Sequence, residues 1–302
     1  MYDPRTILRR SVGVLTILAL GAGAAACSSD EQAAVVTEVV SVTASAPADS
    51  SETPPPTNSG NAGRGVAALK SGFAEFSAGL AQPVGVSIAP VGGGAVISLG
   101  DQDPQVAWST IKVPLAVAAQ RKNGRMPAEQ PAIVDSDNAA AEQLWASLGT
   151  PEQAAQAVTA VLREGGDQTT VVPSERRRAE FSVFGQTVWA LDDAASFTAN
   201  LPCLPDSEYV ISLMGQVSGN QTWGIEAIPG RTTAVKGGWG PGESGGYIVR
   251  QIGLLTRKDG LQTAFALSTY APGASMGSGT AVLDQVGRWL GGRLASMPGG
   301  RC

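Results

Sequence analysis

The sequence predicts an α+β domain: an antiparallel sheet of about five strands, flanked by N- and C-terminal helices, with a helical region inserted between strands. Three observations predict it. Strand-like apolar runs occur near the start of the domain and again near the end. The span between them reads at helical spacing. Hairpin signals, Gly92-Gly93-Gly94 and Asp259-Gly260, join neighbouring runs at either end.

Residues 1–26 read as an export signal rather than structure. Arg5, Arg9 and Arg10 precede an apolar core from Val12 to Leu20, and a small-residue run leads into Cys27. Small residues followed by Cys are the pattern of a bacterial lipobox. On that reading Cys27 becomes a lipidated N-terminus, and the protein is anchored to the outer face of the cell membrane by acyl chains. Ala24 stands where such sites carry Leu, so ordinary secretion is the alternative. Residues 27–64, rich in Ser, Thr, Ala and Pro, read as a disordered tether. The domain is then 65–302, enough chain for a core of its own.

Within the domain, Leu69, Phe73, Phe76 and Leu80 recur at helical spacing and predict a helix over Val66 to Leu80. Strands follow at Val84 to Ala89 and Ala95 to Leu99. A loop over Asp101 to Ala107 leads into a helix that starts near Ser109 and ends at Asn123-Gly124. Pro114 lacks an amide hydrogen and is tolerable only in a first turn. Residues 133–163 read helical, with a break at Gly149-Thr150-Pro151, and Gly165 to Thr187 reads as irregular. Helices are expected at Leu191 to Leu201 and Glu208 to Gln216. Strands then run over Thr232 to Lys236, Gly246 to Leu255 and Thr263 to Tyr270. A closing helix spans Thr280 to Leu294.

Composition excludes several chemistries. The chain has no His, which removes Ser-His-Asp and Cys-His catalysis and most zinc sites. No metal and no cofactor is expected. A net charge of -5 without a basic stripe argues against a nucleic-acid partner. The run Arg176-Arg177-Arg178 reads either as a solvated loop or as a contact for an anionic substrate. Cys203 and Cys302, exported with the chain, are expected to pair as a disulfide that ties down the C-terminus.

With only five Lys in the chain, each one in a motif carries weight. Ser109-Thr110-Ile111-Lys112 puts a hydroxyl and an amine one helical turn apart, where they can meet. A Ser is a weak nucleophile until a base takes its proton, and Lys112 is the base within reach. The alternative is that Ser109 merely caps the helix. Two further elements follow in order. Ser136-Asp137-Asn138 sits at a corner between helices, and Lys236-Gly237-Gly238-Trp239 sits on a strand. Each has a plainer reading, as an N-cap and as a strand with a bend. Ser218-Gly219-Asn220 is a competing Ser-x-Asn.

Ser-x-x-Lys, Ser-x-Asn and Lys-x-Gly in this order resemble the serine β-lactamase and penicillin-binding-protein superfamily, class A above all, from about Val66 to the C-terminus. The resemblance implies a β-lactamase/transpeptidase-like fold and a serine hydrolase that works through an acyl-enzyme. Its substrate would be a β-lactam or a peptidoglycan-type amide, handled by a monomer. Ser109 would be the nucleophile, Lys112 its base and Ser136 the proton relay to the leaving nitrogen. Asn138 would hold Lys112 and substrate, Lys236 would keep the site positive, and the Gly238-Trp239 strand with Ser109 would form the oxyanion hole. Three departures stand beside it. Gly237 replaces a hydroxyl residue that would meet a substrate carboxylate. Only 27 residues separate Ser109 from Ser136, which implies a shortened helical region and an open cleft. The loop that should carry a deacylating Glu offers Glu175 and Glu180, with Glu175 the nominee. A non-catalytic envelope-binding protein on the same fold is therefore the alternative.

Overall fold

The computed structural model describes residues 59–302, with side chains from Arg64 onward. The export signal, Cys27 and most of the tether lie outside the described residues. The first helix, α1, runs over Ser59–Ser77. It begins inside the segment read as tether and ends one turn sooner than its apolar spacing suggested.

Two strands follow as expected, β1 (Val84–Pro90) and β2 (Ile97–Gly100). Gln105–Val106 forms a two-residue strand, β3, that the sequence reading had left in a loop. A 3-10 turn over Trp108–Ile111 comes next, and α2 (Lys112–Asn123) continues from it. Pro114 thus falls in the first turn of α2, where its missing amide has no partner to lose. The helical region is α3 (Glu129–Val134), α4 (Asn138–Ser147) and α5 (Pro151–Glu164). It breaks not only at Gly149 but also at Asp135–Asp137, because Asp137 accepts the Ala140 amide and caps α4. Thr150 and Gln153 form a reciprocal capping box on α5.

The short strand β4 (Val188–Trp189) pairs antiparallel with β3. Helices α6 (Leu191–Asn200) and α7 (Glu208–Met214) precede three long strands, β5 (Thr232–Pro241), β6 (Tyr247–Thr256) and β7 (Gln262–Ala271). The chain closes with α8 (Met276–Gly291), which starts one turn before its expected position at a Ser275/Ser278 capping box.

The main sheet has five strands in the order β2-β1-β7-β6-β5, with β5 at one edge. It is antiparallel throughout. Val86 and Ile88 on β1 and Phe265 and Leu267 on β7 pack with residues of α1 and α8 on one face. The opposite face carries small side chains, Ala264 and Ala266, against α6. Both faces are covered, so β6 is buried along almost its whole length and shows little polar alternation. Cys203 and Cys302 form a disulfide, 99 residues apart in sequence. It fastens the last residue of the chain to the end of α6.

Strand β5 is twice the expected length. The strand was expected to end at Lys236, with a bend at Gly237-Gly238 as the plainer reading, since Gly is poorly suited to strand interiors. Here the glycines serve close approach. A Cβ on Gly238 would lie 2.8 Å from Ala107 O and 2.9 Å from Ser109 N, and one on Gly240 would enter the Trp108 ring. The edge strand therefore lies directly against the 3-10 turn that carries Ser109.

Candidate active site

Ser109 sits half-buried in the 3-10 turn. The caps of that turn and of α2 are Ala107 and Ile111, and neither uses a side chain. Ser109 is thus not a capping residue. Its hydroxyl has no hydrogen-bond partner among the described residues. It lines a cavity of about 280 Å³, which Asn138, Glu142, Glu180 and Phe181 also line. Trp108, just before it, holds φ +48, and Ser136 holds φ +59. Non-glycine residues adopt this left-handed region at a cost, and such strain clusters at functional sites.

Lys112 is 1 % exposed. Its Nζ donates to Ser136 O at 2.6 Å, Asn138 Oδ1 at 2.8 Å and Asp137 O at 3.2 Å. Those are three acceptors for the three hydrogens of an ammonium. Burial nevertheless lowers its pKa from 10.5 to about 8, against the opposing pull of Asp137 and Glu142. Lys236 is fully buried. Its Nζ donates to Ser136 Oγ at 2.9 Å, Gln221 Oε1 at 2.5 Å and Gly237 O at 2.9 Å. Burial, with the Lys112 charge second, holds its pKa well below the ordinary value. Ser136 therefore bridges the two lysines, its carbonyl on one and its hydroxyl on the other.

The backbone amides expected to serve as oxyanion donors follow from strand and turn geometry. Thr110 makes the first amide bond of the 3-10 turn, to Ala107 O at 3.1 Å; the Ser109 amide before it has no partner within the turn. Gly237 N–H points off the free edge of β5, donating to Gln221 Oε1 at 3.0 Å. Trp239, two residues on, directs its N–H to the same edge. Gly238, between them on the strand, packs against the Ser109 backbone.

The other nominees fall elsewhere. Glu175 is exposed and does not line the Ser109 cavity, a correction to its nomination. The reason lies in the loop: Gln186 Oε1 accepts the amides of Arg177 and Arg178, and its Nε2 donates to Arg178 O and Phe181 O. The loop folded around Gln186 turns Glu180 and Phe181, not Glu175, to the cavity. Glu180 pairs with Arg178 at 3.3 Å, and Glu142 pairs with Arg176 at 3.6 Å. Ser218 donates to Asp135 Oδ1 at 2.5 Å and Asn220 to Asp135 O at 3.2 Å; the lysines take Ser136 and Asn138 instead.

Three residues were missed. Glu142 is one turn beyond Asn138 on α4, and that spacing was available in the sequence. Gln221 is fully buried and spends its whole amide: Nε2 donates to Ile133 O and Val134 O while Oε1 takes Lys236 and Gly237. Arg250, 1 % exposed, donates to Gln105 O, Val106 O and Trp189 O. Burial lowers its pKa to about 9. It clamps the segment that leads into Trp108. Neither Gln221 nor Arg250 belongs to a motif, so no local signal marked them. Among the described residues, no group of three or more His, Cys, Asp or Glu side chains is placed to hold a metal ion.

Solved structures share this architecture. A beta-lactamase from Burkholderia vietnamiensis is 19 % identical, covers 76 % of this chain and 97 % of its own, and superposes with a TM-score of 0.58. The TLA-3 extended-spectrum beta-lactamase is 14 % identical over 75 % of this chain and 99 % of its own, with a TM-score of 0.60. A variant of the last common ancestor of Gram-negative class A beta-lactamases is 19 % identical over 76 % and 98 %, with a TM-score of 0.57. No protein-family model and no curated protein matches the sequence. At these identities the likeness establishes the fold.

Proposed function

We propose that this chain, which has the class A β-lactamase fold, is a serine hydrolase acting through an acyl-enzyme on β-lactam or peptidoglycan-type amides. One observation carries the reading. An unengaged Ser109 hydroxyl lines a cavity together with Asn138, and Asn138 holds Lys112, whose partner Ser136 also takes Lys236. Ser109 Oγ attacks the carbonyl carbon and its proton passes to the lone pair of neutral Lys112, whose two hydrogens stay on Ser136 O and Asn138 Oδ1. Charge on the carbonyl oxygen is met by the amides of Ser109 and Trp239; such donors contribute about 3 to 4 kcal/mol each. Ser136 hands its hydroxyl proton to the leaving nitrogen and takes one in turn from the Lys236 ammonium, which donates to the Ser136 oxygen at 2.9 Å. The C–N bond breaks and the acyl group stays on Ser109. Water must then take that acyl group. The two carboxylates at the cavity, Glu142 and Glu180, are each paired with an arginine, so slow deacylation is expected. Export and the lipid anchor on Cys27 remain part of this proposal.

A second reading, a non-catalytic envelope-binding protein, is favoured by one observation. Both lysines have all three hydrogens engaged, an arrangement that suits fixed ammonium groups as well as a base. A fluorescent penicillin, incubated with wild type and with Ser109→Ala and followed by intact mass, separates the two. An adduct on wild type alone supports the enzyme. No adduct with penicillin, nitrophenyl ester or acyl-D-alanyl-D-alanine peptide leaves the binding protein.

A further inference from the structure

A second cavity, of about 350 Å³, lies between the 166–187 loop and the turn that joins β5 to β6. Its lining includes Trp108, Arg177, Arg178, Pro241, Glu243 and Tyr270. Trp108 also lines the Ser109 cavity, so the two are neighbours with one shared wall. Along β5, Gly238 abuts Ser109 and Pro241 lies three residues further, about 10 Å at strand rise. Lys236 lies on the other side of Gly238. The two ends of the cleft thus have different chemistry.

At the Lys236 end the ammonium has no hydrogen left for an anion. The three Lys236 hydrogens are spent. Gly237 has no hydroxyl, and a side chain there would meet the Trp223 ring at 2.8 Å. Trp223 is itself buried, so the space is filled rather than vacant.

The far end has unspent donors. Trp108, 8 % exposed, forms the wall between the two cavities. The Arg177 side chain makes no hydrogen bond or ion pair among the described residues, while its backbone is fixed by Gln186. Arg178 adds charge, although it is partly engaged by Pro241 O and Glu180. Glu243 is the opposing charge, and it sits exposed on the turn, where water screens it.

We propose that this cavity is a subsite for a carboxylate carried by the ligand that the Ser109 cleft receives, held by Arg177. The ligand's acidic group then lies on the Pro241 side of Ser109, not against the Lys236 motif. The proposal rests on the hydrolase reading for its kinetic arm only. Acylation of Ser109 by neutral para-nitrophenyl butyrate is compared with acylation by mono-para-nitrophenyl glutarate, in wild type and Arg177→Gln. Glutarate itself is titrated calorimetrically into Ser109→Ala and into Ser109→Ala/Arg177→Gln. The expected result is a preference of about tenfold or more for the glutarate ester, the scale of one charge-assisted hydrogen bond. Arg177→Gln abolishes the preference and leaves the butyrate rate unchanged. Equal rates for the two esters in wild type, or a preference that survives Arg177→Gln, overturns the proposal. If neither ester acylates Ser109, the hydrolase reading fails and the titration decides alone. Glutarate binding lost with Arg177 then upholds the subsite, and absence of binding ends it.

Discussion

Lys236 donates to Ser136 Oγ at 2.9 Å across a separation of 100 residues. That bond joins the edge strand of the sheet to the corner of the helical region. The Ser136 carbonyl then passes the connection to Lys112. The strained residue at the corner is therefore the joint of the site, and its side chain and backbone have separable roles.

Ser136→Ala removes an acceptor from Lys236 and the proton relay to the leaving group. Acylation is expected to fall by about 10²-fold or more. Ser136→Gly removes the same hydroxyl but relieves the φ of +59. It should match the Ala variant in acylation rate while unfolding at higher urea. Equal acylation by wild type and both variants, measured by adduct mass against time, would remove Ser136 from the mechanism.

Acylation should climb with pH and level off above about 8, because neutral Lys112 is the competent form and burial sets its pKa near that value. Stability has its own sign. The unfolded chain holds more protons than the folded one between about 8 and 10.5, so unfolding free energy rises with pH across that window. Below about 8 both states are protonated and the full burial cost, on the order of 3 kcal/mol, is present. Urea midpoints across pH 7 to 10, in wild type and Lys112→Met, check this; a rise unchanged in the variant contradicts the assignment.

Gly238→Ala puts a methyl within 2.9 Å of backbone atoms at Ala107, Ser109 and Thr110. None of them is the flexible end of a side chain. The edge strand must move off the turn, and the amides of Ser109 and Trp239 separate. Acylation should drop about 10²- to 10³-fold, the loss typical of one oxyanion donor. A crystal structure of the variant with an unmoved β5 and wild-type kinetics would refute this account of the glycine.

Gln221→Leu strands the Ile133 carbonyl, the Gly237 amide and one lysine hydrogen in the interior, while Val134 O keeps the Ser218 amide. Each buried orphan costs about 1 to 3 kcal/mol, so a large loss in the urea midpoint is expected. Gln221→Glu keeps the shape and sets a carboxylate against Lys236. It should raise the Lys236 pKa and shift the pH profile of any acylation that survives. A profile unmoved by the charge would show that Gln221 acts only as packing.

Reduction of the Cys203–Cys302 bond frees a loop of 99 residues. Chain-entropy arguments put the loss at about 4 to 5 kcal/mol. Thermal unfolding with and without reductant, compared with Cys203→Ser, reads it. The site lies away from the end of α6, so acylation at low temperature should be unaffected.

Much of this was legible beforehand because it is local. Apolar spacing located β1, β2, β6 and β7, since a strand or helix must bury one face whatever its neighbours are. Ser109, Ser136 and Lys236 announced themselves by short spacings within motifs. The errors share one cause. The glycines of β5 looked like a bend because their partner, the Trp108 turn, is far away in sequence. Glu175 drew attention beside the arginines, but Gln186 decides which loop residues face the cleft.

The sequence by itself determined the order of most helices and strands, the Ser-x-x-Lys, Ser-x-Asn and Lys-x-Gly spacings, and the pairing of two cysteines. Each depends on periodicity, on residues one turn apart or on simple counting. Only the tertiary structure decided that Gln221 saturates Lys236, that Trp223 fills the space a hydroxyl residue at 237 would need, and that Arg177 keeps unspent donors at a neighbouring cavity. Burial and hydrogen-bond completion are properties of the packed interior, and no window of sequence contains both partners.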